Sequence, residues 1–159
     1  MGTDRNDGAS PERSMTLGYL LRELYSHLQQ RIYAAVAADG HPGLRELHSP
    51  VLRYLPKEGA RVADLARRAG LAKQSVTYIV EDLTALGYLT VASDPEDGRA
   101  KRVKLTAHGR SLVASLLLHS EMAERELARR VGKSRLANLR TTLEDAVTSF
   151  SGKGQADAG

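Results

Sequence analysis

The residues of this sequence best suited to chemistry form two groups: Lys73, Gln74, Ser75, Thr77 and Tyr78, and the run Asp97, Arg99, Lys101, Arg102 and Lys104. Gln74 can bond an adenine edge in bidentate fashion, and the Thr77 methyl can touch a thymine methyl. Ser75 and Thr77 can bond bases or phosphates, and Lys73 pairs with phosphate. A guanidinium at a hairpin tip can enter the narrow minor groove, where the negative potential is strongest. That role falls to Arg99, with Asp97 orienting it through a charge-assisted bond. Arg61, Arg67 and Arg68 are candidates for backbone phosphates. All of this is the chemistry of holding a polyanion. No nucleophile elbow, H-E-x-x-H, phosphate loop or dinucleotide fingerprint occurs, so no enzyme and no cofactor is expected. The GKG near the C-terminus lacks the strand and the GK[ST] ending of a phosphate loop.

The elements that must position these residues can be read around them. Residues 61–86 hold two helical patterns, one with Val62, Leu65 and Ala66 on one side, the other with Val76, Ile79, Val80, Leu83 and Leu86. The turn between them, Ala69-Gly70-Leu71-Ala72, gives the spacing of a helix-turn-helix. Ala66 is small where the second helix crosses, and Gly70 can take the left-handed conformation of a tight helix exit. Val76 and Ile79 face inward, which frees Lys73, Gln74, Ser75, Thr77 and Tyr78 for a ligand. Glu81 and Asp82 lie further on, away from the end that enters a groove. Gly87 ends the helix. Tyr88–Val91 and Val103–Thr106 then alternate with period two, as strands do, around the turn-rich DPEDGRAKR. Two short strands and a basic loop after a helix-turn-helix make a winged helix. The plainer alternative is a polar, solvated face on an ordinary helical hairpin, with the Asp and Glu of the loop serving only as turn formers.

The remainder is helical, with tails. Residues 1–14 and 151–159 lack periodicity and read as disordered. From Met15 to Ala38, Leu17, Leu20, Leu21, Leu24, Leu28 and Ile32 recur at helical spacing, with Thr16 or Ser14 as cap. A short helix is expected within Leu44–Leu55, or from Ser49-Pro50 with Pro at its first turn. Residues 107–130 form a long helix with Leu112, Val113, Leu116, Leu117 and Leu127 as its stripe. A last helix, capped by Ser134, carries Leu136, Leu139, Leu143, Val147 and Phe150. These outer helices carry more apolar surface than a small central domain can cover; they either pack on their own chain or interleave with those of a second copy, and the second is mildly favoured because homodimers are the commonest oligomer.

Composition sets the class. The chain has 159 residues, 42% hydrophobic and 26% charged, with a net charge of +4 and no cysteine. One domain with appended helices is expected. Disulfides, thiolate catalysis and Cys-based metal sites are excluded. The short apolar runs and the absence of a leader pattern point to a cytoplasmic protein without a membrane span.

The ordered set ARVADLARRAGLAKQSVTYIVEDLTALGYLTV, then DPEDGRAKRVKLTAHG, resembles the MarR family of bacterial transcription regulators. The Leu-Gly-Tyr-Leu exit, the D-x-R wing tip of Asp97 and Arg99, and Leu105-Thr106-x-x-Gly109 all stand in order. The resemblance implies a mainly α fold with a small β-hairpin wing, a winged helix-turn-helix flanked by N- and C-terminal dimerisation helices. The corresponding divisions are 15–43, 44–106 and 107–150. It implies a homodimer on a pseudo-palindromic operator of double-stranded DNA, commonly as a repressor, released by a small, often phenolic or aromatic, effector. On matching positions Ser75 and Thr77 meet DNA, and Asp97 and Arg99 are the wing pair. Two departures stand out: Val91-Ala92 replaces an Arg common after the exit, and Arg61 stands where Thr is common. The oxidation-sensing branch of the family needs cysteine and is excluded.

Tyr19, Tyr25, His27 and Tyr33 are the candidates for an effector pocket, and His41 joins them in the link; residues of these types are more often half-buried packing residues than ligand contacts. His41, His48, His108 and His119 lack close metal-ligand spacing, so no metal is expected. The rival function is a winged helix used as a protein-interaction or assembly module without specific DNA binding. Such a module would expose apolar residues on the recognition face, and only Tyr78 fits that.

Overall fold

The computed structural model describes residues 16–94 and 97–151; the side chains of Arg99 and Ser151 lie outside that description. Of the residues read as tails, 1–14 and 152–159 also fall outside it, while Ser151, read as the start of the second tail, is the last residue of a helix. Its elements run α1 (Leu17–Ala38), α2 (Ser49–Tyr54), β1 (Ala60–Arg61), α3 (Val62–Ala69), α4 (Lys73–Ala85), β2 (Leu89–Asp94), β3 (Asp97–Leu105), α5 (Ala107–Val131) and α6 (Lys133–Ser151). The fold is mainly helical with one small antiparallel sheet of order β1-β3-β2. It is a winged helix with long helices before and after it.

The chain divides into two compact units, with the boundary inside α5 after His119. In the first, α1 starts at Thr16, whose hydroxyl accepts the Tyr19 N–H at 3.2 Å. Ile32 and Val36 are its buried positions. The window 44–55 does not form one helix. A 3-10 turn over Glu46–His48 leads into α2, with Pro50 in its first turn. Proline lacks an N–H, so a helix can begin at it but not run through it. The core collects Val51, Leu65, Val76, Leu83, Val103 and Leu112, all fully buried.

The wing differs from expectation. The strands are longer than 88–91 and 103–106, and Tyr88 precedes β2 with its ring buried. β1 pairs Ala60 with Val103 and Arg61 with Arg102. Two residues are too short for any alternation to show. The exit from the wing is a side-chain cap. Thr106 Oγ1 accepts the Gly109 N–H at 2.9 Å and donates to Gly87 O at 2.7 Å. Gly109 must be glycine: a Cβ there would lie 2.0 Å from the Tyr88 carbonyl oxygen.

In the second unit, Gly132, at φ +95°, separates α5 from α6, and its carbonyl accepts the Leu136 N–H at 3.1 Å. The helix therefore begins before Ser134, which lies inside α6 and is not its cap. Arg140 Nη2 reaches Glu124 at 2.5 Å. Leu136 and Leu143 are half-buried, while Val147 and Phe150 are exposed. In α5 the expected stripe holds at Leu112 but fails at Leu117, which is exposed.

Candidate nucleic-acid interface

α3 ends where Gly70 takes the left-handed conformation at φ +64° and ψ +30°. The Leu71 N–H then bonds back to Ala66 O at 3.0 Å, closing the helix end. This turn sets the start of α4. Val76, Ile79, Val80 and Leu83 are buried on its inner side. Lys73, Gln74, Ser75 and Tyr78 are exposed, and Thr77 is half-buried. The structure thus brings all five recognition-helix candidates to one accessible face. Thr77 Oγ1 donates to Lys73 O at 2.9 Å, which ties its hydroxyl hydrogen to the helix backbone. Ala72 at the N-cap provides no side-chain cap, so the first-turn amides of α4 face no capping group.

The wing is organised around Asp94, whose side chain is fully buried. Its Oδ2 accepts from Arg61 Nε at 2.8 Å and from Arg102 Nη2 at 3.3 Å. Arg102 Nη1 also donates to Gly59 O at 3.2 Å. Arg61 Nη2 reaches on to Asp97 at 3.6 Å. Residues from β1, β2 and β3 are therefore tied at one carboxylate. Arg61 stands where the departure from the family pattern lay, and its guanidinium braces the hairpin. Arg61 and Arg102 are engaged at Asp94, while Lys101 is exposed. Arg99 lies in β3 and its side chain is outside the described residues. Arg67 and Arg68 are exposed on α3, Arg67 pairing with Asp64 at 2.9 Å. By charge alone Arg61 reads as a phosphate ligand and Arg102 as a wing residue for DNA. Asp94 carried no signal, because a buried acid in a turn-rich stretch reads like a turn former.

Behind α4 lies a second polar cluster, absent from the sequence reading. Asp82 Oδ2 meets His48 Nε2 at 2.6 Å and the Arg45 guanidinium. These contacts, His48 first and Arg45 second, hold the Asp82 carboxyl below the ordinary carboxylate value. The same 3-10 turn borders a cleft of about 630 Å³ lined by Tyr25, Glu46, Ser49, Arg53 and Tyr54 among others. Of the pocket candidates, Tyr25 lines this cleft. Tyr33 is half-buried and bonds Ser49, and burial raises its phenol above the ordinary value. Tyr19 and His27 are exposed on α1 and are not among the lining residues.

The remaining histidines take part in packing contacts. His119 Nε2 meets Asp39 at 2.7 Å, His41 Nε2 meets Ser111 Oγ at 3.3 Å, and His108 stacks on Tyr88 with centroids 4.7 Å apart. Among the described residues no three His, Cys, Asp or Glu side chains are grouped to hold a metal ion. No helix among them is long and apolar enough to cross a membrane.

Residues 43–100, which hold the helix-turn-helix and most of the wing, match the model of the MarR family. Over this segment the chain is similar to the MarR family. Solved structures extend the shared fold beyond the MarR segment. One is a transcriptional repressor, CouR, bound to a 23-mer DNA duplex: TM-score 0.69, 21% identity, covering 86% of this chain and 96% of that one. CouR from Rhodococcus jostii RHA1, bound to p-coumaroyl-CoA, gives TM-score 0.62 at 23% identity, covering 84% and 92%. Bordetella bronchiseptica BpsR, whose DNA binding is regulated by 6-hydroxynicotinic acid, gives 0.62 at 24%, covering 84% and 94%. No curated protein sequence matches this chain significantly.

Proposed function

We propose that this protein is a non-catalytic, sequence-specific regulator of transcription that binds double-stranded DNA as a homodimer and acts as a repressor. The observation that carries the reading is the face of α4. Lys73, Gln74, Ser75 and Tyr78 are exposed, while Val76 and Ile79 anchor the opposite side. Gln74 reads bases and Lys73 holds phosphate, with the N-terminal end of the helix in the major groove. The braced hairpin presents the exposed Lys101 to the neighbouring backbone or minor groove. Dimerisation is supported by exposed apolar side chains on α1 and α6, with Leu17 70% and Phe150 82% exposed in the single chain. Isolated exposed leucines are ordinary, but a helix with Leu139, Val147 and Phe150 all exposed calls for a cover. Two copies would then place their recognition helices about 34 Å apart, one helical turn of DNA.

A small effector acts through the cleft beside α2. Tyr25 and Tyr54 offer aromatic surface there, and Arg53 offers a partner for a carboxylate. The 3-10 turn on its border also carries Arg45 and His48, which hold α4, so an occupant touches the element behind the recognition helix.

Fluorescence anisotropy over a salt series tests the reading with two duplexes, the DNA upstream of the protein's own gene and a scrambled one. Preference of about 10³-fold or more for the upstream duplex at physiological salt is the expected result. Absence of binding to either at low salt would move the reading to a protein-interaction module. Light scattering at micromolar concentration tests the dimer, and a stable monomer refutes it.

A further inference from the structure

We infer that Asp82, an acid on the helix proposed to read DNA, is a positioning residue of that surface: Arg45 and His48 grip it and so fix the roll of α4. The inference rests on the reading of α4 as the recognition helix. A carboxylate on such a helix would by itself repel phosphate. Here both partners converge on one oxygen, Oδ2, from a single 3-10 turn. His48 is fully buried, and its Nδ1 accepts the Arg45 N–H at 3.0 Å. That nitrogen is therefore the acceptor, so Nε2 carries the hydrogen and donates it to Asp82. The ring is thus fixed at both ends, and the guanidinium that completes the grip also neutralises the acid.

Geometry makes the grip consequential. The apolar side of α4 packs through Val76, Ile79, Val80 and Leu83, and apolar contact is not directional. Hydrogen bonds to a charged oxygen are directional and short. Asp82 lies about 13 Å along the axis from Lys73, at ~1.5 Å rise per residue. A roll of about 20° would move side-chain tips at ~6 Å radius by about 2 Å. Productive base contacts tolerate only about 0.5 Å. A polar anchor near the far end of α4 therefore governs what Gln74 and Tyr78 can reach.

The test compares wild type, Asp82→Asn, His48→Asn and the double variant as full chains, on the upstream and scrambled duplexes. His48→Asn keeps an acceptor for the Arg45 N–H and removes the contact to Asp82. Positioning predicts that each single variant lowers the upstream-to-scrambled affinity ratio at least tenfold, with binding to scrambled DNA unchanged or tighter. It also predicts that the double variant loses no more than the worse single one, since both act through one contact. If Asp82 is only a like charge near phosphate, Asp82→Asn tightens binding to both duplexes and leaves the ratio within twofold; that overturns the inference. Additive loss in the double variant overturns it as well. Hydrogen exchange in the free protein separates this failure from failure of the DNA-binding reading. Amides of α4 should exchange at least tenfold faster in Asp82→Asn, whether or not any duplex is bound, and unchanged exchange overturns the grip.

Discussion

Asp94→Asn removes one negative charge from the wing where β2 ends against the start of β3, and leaves the side chain's shape nearly intact. The carboxylate is fully buried, and its Oδ2 accepts from Arg61 at 2.8 Å and Arg102 at 3.3 Å. Hydrogen bonds to charged groups contribute about 1.5–3 kcal/mol each. An amide oxygen can still accept one of the two, but as a neutral acceptor. Breaking a buried ion pair outright costs about 3–5 kcal/mol. The guanidinium partners keep 40% and 21% of their side chains exposed, so water recovers part of the loss. The balance is about 2 kcal/mol of destabilisation for Asp94→Asn. Urea unfolding at pH 7, followed by circular dichroism, reads this as a lower midpoint at constant slope. Salt separates the cause: a buried pair is screened little, so the deficit should persist at high ionic strength. On DNA, a loosened hairpin should weaken binding to upstream and scrambled duplexes alike and reduce the salt slope by about 1. A midpoint shift worth less than about 0.5 kcal/mol, the scatter of ordinary surface substitutions, would refute the role given to Asp94.

Gly109→Ala should destabilise the protein by about 1–3 kcal/mol, although alanine favours a helix by up to ~1 kcal/mol, because the new Cβ meets the Tyr88 carbonyl oxygen at 2.0 Å; thermal unfolding checks it, and a raised melting temperature contradicts the close approach. Asp39 is held below its ordinary value by the Ser115 hydroxyl first and His119 second. Its depressed folded value means that the unfolded chain binds more protons between the two values, so this stabilisation is complete above about pH 4 and is lost as pH falls through the folded value. Ser115→Ala should accordingly lower stability at pH 6 and shrink the fall on acidification, both read from urea midpoints across pH; an unchanged acid limb contradicts the contact. Gln74→Ala should cost about 1–3 kcal/mol on the upstream duplex and relax base preference at one position, read by anisotropy on a set of singly substituted sites. Equal loss on scrambled DNA would remove its base-reading role.

What could be read along the chain was local. The helix-turn-helix is written in Ala66, Gly70, Val76 and Ile79, because a tight turn demands a left-handed glycine and the crossing helices demand small and inward residues within one short window. Gly70 takes that conformation and both Val76 and Ile79 are buried. The long outer helices were visible for the same reason, since a 3.6-residue period repeats along them. Even the Thr106-x-x-Gly109 signature was legible as a pattern, but not the carbonyl that Gly109 must approach. Helix starts were less legible where a carbonyl did the work. Ser134 looked like a cap, yet the chain closes on the Gly132 carbonyl, a group every residue possesses.

The networks that position the site could not be read from the sequence. Arg61 and Asp94 meet across 33 positions, His48 and Asp82 across 34, and Arg45 and Asp82 across 37. Contacts at that separation leave no period and no local motif; they exist only once strands pair and helices pack. Charge alone leaves Arg61 as a candidate phosphate ligand, Arg102 as a wing residue for DNA and Asp82 as a distant acid. Burial settled the surroundings of Arg61 and Arg102, because Asp94, a carboxylate shut away from water, must take its partners from whatever folded structure brings within hydrogen-bonding distance. The sequence thus determined which residue types face outward on α4. The tertiary structure decided which charges are bound at Asp94 in the wing and behind the helix, and which remain exposed.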